Sequence, residues 1–312
     1  MVSMPAVVMV SGAAQLTIGV PLALAAAAAF GASSVLQFRA SRQVPQERAG
    51  RPRLLVHLLG VASWRWSVVL AAVAFACQVA ALSRTPLILV QPLLVSGLIW
   101  YILLFAASRH VRPDRPLLVQ AALCLLGLSA FLLIARPAPG HGRGLDSFWP
   151  AVLLLAAVAT TVGLCLLAAL RLDQRWRPLP LALAAGICYG VTAGLISSLT
   201  HLHEAPLAVF GQWQTYALMV LGPFGVLLSQ NAYQAGPVGA PALATITVTD
   251  PLVAIAVGLL WLNERIESGA WSFLGEVLAL AVVAGAVYLL ARRAPHAGAR
   301  YGGKGLPEAA GR

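Results

Sequence analysis

The chain has 312 residues, of which 60% are hydrophobic and 10% charged, with a mean hydropathy of +0.84 and a formal net charge of +11. A soluble globule carries about a quarter charged residues, so this composition excludes one and indicates a polytopic membrane protein. The positive charge calls for no nucleic acid, because basic residues collect in the cytoplasmic loops of membrane proteins.

Residues 1–16 lack a basic n-region, so they make a poor signal peptide and read as a short outer segment. Nine predominantly apolar runs follow, at 17–38, 64–83, 85–107, 116–135, 148–170, 179–199, 213–234, 238–261 and 271–291, each long enough to be read as a span. Leu54–Ser63 is too short to cross, and reads as an interfacial helix or an extension of the second span. The tail after Arg293 is rich in Gly, Pro and Ala and is expected to be disordered and cytoplasmic.

Arginine sets the orientation. With the amino terminus outside, only Arg84, Arg136, Arg143 and Arg265 of the 21 basic residues fall on the outer side. The other seventeen collect inside, which places the carboxyl terminus in the cytoplasm and the protein in the plasma membrane. The four cysteines, Cys77, Cys124, Cys165 and Cys188, lie singly in apolar runs without CxxC spacing, so neither a zinc site nor a disulfide framework is expected.

The two halves match each other. L-A-L-A-A at Leu22–Ala26 recurs at Leu181–Ala185, Phe30-Gly31 recurs as Tyr189-Gly190, and Gln91-Pro92-Leu93 recurs as Asp250-Pro251-Leu252, all at an offset of 159 residues. The offset pairs spans one to four (17–135) with spans six to nine (179–291) and leaves the fifth as a bridge within 136–178; residues 292–312 form the tail. Matched spans lie five apart, an odd number, so the second copy is inverted in the membrane. Inverted repeats are a secondary-transporter architecture whose solute site lies near the midplane, where interrupted helices meet.

The chain is organised around Ala240–Arg265. Its apolar part, Pro241–Trp261, would span about 31 Å as a helix, the thickness of a bilayer core. Asp250 sits halfway along it, directly before Pro251. An acid at mid-membrane is costly and by default functional, and a proline there frees a backbone carbonyl. Gln91 and Pro92 would form the matching break in span three. Gln230 and Asn231 are further amides able to line a pathway, although adjacent residues cannot both face one way on a helix. Glu276, in the first turns of span nine, is the remaining pathway candidate.

The pattern G-P-x-x-x-P…T-V-T-D-P-L-V-A…L-N-E-R, after an earlier P-L-I-L-V-Q-P-L-L-V, resembles the drug/metabolite transporter superfamily of EamA-like proteins over roughly residues 17–291. It is most similar to the nine-span branch of NIPA-type magnesium transporters. The resemblance implies a bundle of two inverted helical repeats around a central pathway, with the family's helix-ending acid at Glu264. The end of span three, Ala106–His110, has no such acid.

Each candidate also has a plainer reading. Asp250 could be a structural acid bonded to Thr247, Thr249 or Gln91. The prolines could be simple kinks, and the amides interhelical glue. His201-Leu202-His203-Glu204 has no third histidine nearby and makes a weak metal site. Trp64, Trp66, Trp149, Trp213, Trp261 and Trp271 lie near span ends and fit an interfacial belt. No phosphate loop, nucleophile elbow or HExxH occurs, so neither an enzyme nor a cofactor is expected. The expected partners are the lipid bilayer and a small-molecule or cation substrate, with room for a homodimer. A magnesium transporter and a non-transporting membrane scaffold are the alternatives.

Overall fold

The computed structural model describes residues 6–44, 53–82, 90, 93–135, 148–174, 176–199, 210–261 and 270–302. Among them every regular element is a helix, as hydrocarbon demands of a backbone that must satisfy its own polar groups. In chain order these are α1 (Ala6–Ser41), α2 (Arg53–Leu59), α3 (Ala62–Leu82), α4 (Gly97–Ser108), α5 (Arg115–Ala135), α6 (Phe148–Arg171), α7 (Pro178–Leu199), α8 (Trp213–Ala235), α9 (Ala240–Trp261) and α10 (Ala270–Gly302).

Among the described residues seven helices are long and apolar enough to cross a membrane: α1, α3, α5, α6, α7, α9 and α10. The other two predicted spans fall short for different reasons. The described part of the third is an apolar stretch of Leu93–Ser108. The seventh is α8, whose 23 residues include Gln214, Gln230, Asn231 and Gln234.

Burial is the inverse of a soluble protein's. Val68, Val73, Phe75 and Val79 of α3, Leu153, Leu164 and Leu167 of α6, and Val277 and Leu278 of α10 are exposed. Ser33, Ser34, Ser67, Gln214, Gln230, Asn231 and Gln234 are buried. Large continuous apolar surfaces of this kind belong against lipid. The chain is an all-α polytopic membrane protein.

Helix α1 packs along α3 and α4, α7 packs along α8 and α9, α5 packs along α10, and α6 packs against α7. Glycine permits the closest approaches. At Gly127 on α5 an added Cβ would lie 2.7 Å from Val283 Cγ2 on α10.

Two features depart from the sequence reading, and of its two readings of Leu54–Ser63 the structure has the separate helix rather than an extension of span two. Helix α1 starts at Ala6, so residues 6–16 continue the first span as helix. The segment before span two is a separate helix, α2, because the chain turns at Gly60 and Val61 before α3 begins. Leu54 and Leu58 of α2 are buried with Ala40 and Leu227. Finally, α10 runs to Gly302, past Arg293, where a disordered tail was expected. Its Ala294 and Ala297 are buried, and that packing outweighs the helix-breaking composition.

Candidate functional site

Helix α9 carries Asp250 as the eleventh of its 22 residues, with Pro251 inside the same helix. Proline has no N–H, so the carbonyl of Thr247 loses its usual helical donor at this point. Asp250 and Pro251 are both partly buried. Thr245 Oγ1 donates to the Pro241 carbonyl at 2.8 Å within the same helix, so this hydroxyl is occupied locally.

Helix α9 runs through Pro251 as one continuous helix, where the sequence led to the expectation of an interruption, because the proline removes a single helical donor and the rest of the ladder persists. The helix that meets this turn is α7, and the contact is between backbones. A Cβ added to Gly190 would lie 2.5 Å from the carbonyl oxygen of Asp250, 2.6 Å from Val253 Cβ and 2.9 Å from Ala254 N. One turn earlier, a Cβ at Gly186 would lie 2.6 Å from Thr249 Cβ. No side chain fits at either position, and small residues at such crossings are how membrane helices approach closely. The neighbouring Tyr189 turns toward α8 instead. Its ring lies where a Cβ at Gly225 would be 2.9 Å from Cε1, and its hydroxyl meets Ser229 Oγ at 3.3 Å. Tyr189-Gly190 therefore joins α8 to the acid-bearing turn of α9.

The predicted amides lie elsewhere. Gln230 is fully buried, and its Nε2 donates to Gln37 Oε1 on α1 at 2.8 Å. Gln37 Nε2 reaches Ser33 Oγ at 3.1 Å, and Ser33 Oγ donates to the Ser67 carbonyl of α3 at 2.8 Å. Four residues along, Gln234 Nε2 donates to the Ser41 carbonyl at 2.9 Å, and Arg42 Nη1 donates to the Gln234 carbonyl at 3.1 Å. The amides thus form a polar seam between α1 and α8. Asn231 turns back on its own helix, with Nδ2 on the Leu227 carbonyl at 2.7 Å. Adjacent on the helix, the two amides turn to different partners. Glu276 is partly buried on α10, which packs along α5. Gln91, Pro92, Glu264 and His201–Glu204 lie outside the described residues.

Sequence reasoning passed over two residues that the structure brings into these networks, and over Asp114, which accepts the Leu117 N–H at the start of α5 and pairs with Arg293 of α10. Gln37 is one, although Ser33, Gln37 and Ser41 recur every four residues on one face of α1. Tyr189 was visible only as half of a repeated pair. Asp114, in P-D-R-P ahead of α5, carried a helix-start signal.

A polytopic all-helical bundle with a single proline-flanked acid halfway along one span is the class these observations define. Over 278 residues the chain is 27% identical to an uncharacterized protein of Corynebacterium glutamicum, covering 88% of this chain and 95% of that one. The likeness runs nearly end to end in both, but it brings no activity with it. No family model and no solved structure matches this chain.

Proposed function

We propose that the protein is a secondary transporter, similar to the drug/metabolite superfamily, moving a small metabolite or cation through a midplane site between two inverted repeats. The observation that carries this reading is Asp250 with Pro251 at the midpoint of α9, met by the backbone of α7 at Gly190. A carboxylate at that depth costs several kcal/mol unless it has work or partners there. Beside a carbonyl released by proline, it can take a proton or a cationic group in place of water.

Helix packing supports the repeat. In the first half α1 packs on α3 and α4; in the second, α7 packs on α8 and α9. The α1–α4 and α7–α9 contacts each use the glycine of the repeated pair. At Gly31 an added Cβ would lie 2.7 Å from the Gly97 carbonyl and 2.9 Å from Trp100 Cβ. At Gly190 it would meet the Asp250 carbonyl and Val253 in the same one-turn pattern. In this reading nine spans cross the plasma membrane, the third and seventh through α4 and α8, with the amino terminus outside. The scaffold alternative would suit an acid sealed in apolar packing.

The test is uptake into proteoliposomes under imposed proton and Mg²⁺ gradients, with wild type beside Asp250→Asn at equal reconstitution. Flux in wild type that falls at least tenfold in Asp250→Asn is the expected result. Undiminished flux in the mutant would remove Asp250 from the mechanism. Mg²⁺ as the transported species would select the magnesium reading, and no flux under any gradient would overturn transport.

A further inference from the structure

On the side that arginine assigns to the cytoplasm, the ends of α1, α4 and α8 meet in an aromatic floor. Phe38 of α1 lies edge-on to Phe105 of α4 at 5.5 Å and to Tyr233 of α8 at 6.3 Å. Tyr101 stacks on Phe105 at 5.8 Å, and its hydroxyl accepts the Gly239 N–H at 3.0 Å in the turn between α8 and α9. The Gln230–Gln37 and Gln234–Ser41 bonds continue the closure along α1.

The end of α10 lies across this floor. At 33 residues α10 would extend about 50 Å, well beyond a bilayer core of about 30 Å. Its counterpart in the repeat, α5, has 21 residues among those described. Leu290, Ala294 and Ala297 are buried at helical spacing, in one core with Leu117 of α5 and Val238 beside α9. A Cβ at Gly298 would lie 2.9 Å from Pro237 Cβ. Asp114, fully buried, caps α5 by accepting the Leu117 N–H on Oδ1 at 3.4 Å, and its Oδ2 accepts Arg293 Nη2 at 3.3 Å.

These contacts suit a joint that opens. The extension meets the floor through alanines and a glycine, which bury little area each. The ion pair has one wet end, since Arg293 is 36% exposed while Asp114 is buried. Pro295 at its root leaves the Ala291 carbonyl without its helical donor, a defined place for α10 to bend.

We propose that residues 292–302 of α10 are a latch that holds the cytoplasmic floor shut, through Arg293 on Asp114 and Gly298 on Pro237, and that lifts when solute passes to the cytoplasm. The proposal rests on the transport reading for the purpose of opening, while the latch itself is testable without flux. In inside-out vesicles, Ala297→Cys in a Cys77→Ala background is labelled with a membrane-impermeant maleimide. Adding Arg293→Ala should speed labelling at least tenfold, with the size-exclusion profile unchanged, and Arg293→Lys should stay near the parent rate. Equal rates in all three would overturn the latch.

The second arm does not depend on how Arg293→Ala folds. Pro237→Cys with Gly298→Cys, oxidised in proteoliposomes and verified by mass, should lower flux at least tenfold, and reductant should restore it. Unchanged flux through a fully crosslinked protein would overturn the proposal. Should wild type carry no flux at all, the transport reading falls and the labelling arm alone decides the latch.

Discussion

The two helix crossings, α1 on α4 and α7 on α9, share a shape and differ in chemistry. Gly31 and Gly190 each admit a facing backbone carbonyl, with residues one turn on crowding the same spot. At the first crossing the carbonyl belongs to Gly97, followed by Trp100 and Tyr101. At the second it belongs to Asp250, followed by Pro251 and Val253. The glycines are 159 residues apart and the carbonyls they meet are 153 apart, so the packing partners are not in the register of the Q-P and D-P match. The crossing is scaffold, held by an absent side chain. What the site can do depends on which residue presents its backbone there, and only the second half presents an acid.

The strongest way to break the comparison is to fill the crossings. Gly190→Leu must displace the backbone of α9 and should abolish folded, monodisperse protein. Gly190→Ala and Gly31→Ala should each cost about 1–3 kcal/mol in detergent unfolding, the usual range for overpacking. A silent Gly31→Ala beside a damaging Gly190→Ala would show that the crossings are not equivalent. Next in size, Asp250→Asn should lower flux at least tenfold while leaving the melting temperature near wild type, which separates chemistry from scaffold. Gln230→Leu removes the donor to Gln37 and should destabilise by about 1 kcal/mol, read as a small drop in melting temperature. The smallest effect belongs to Gly163→Ala on α6, where an added Cβ meets nothing within 4 Å. Stability there should change by less than about 1 kcal/mol, in the direction of helix propensity.

Much of the fold was legible in the apolar runs, because hydrocarbon leaves the backbone few alternatives to a helix. The eighth predicted span, 238–261, matches α9 to within two residues. Asp250 and Pro251 were legible as a polar, proline-bearing turn, since an acid and a proline stand out in an apolar stretch, but the expected interruption is absent: α9 continues through both. Gln230 and Asn231 were legible as polar residues but not as partners, because Gln230 meets Gln37 across 193 residues of chain.

The sequence by itself therefore determined the helical class, most of the membrane segments, the repeated pairs and the position of the one mid-span acid. These are local properties of composition and spacing. Only the tertiary structure decided that Gly190 lies against the Asp250 carbonyl, that the amides join α1 to α8, and that α10 continues over the floor to Gly302. Each of those depends on which helix lies beside which. A glycine, an amide or an alanine-rich end reads the same in sequence whatever it packs against, and its role is fixed by the neighbour.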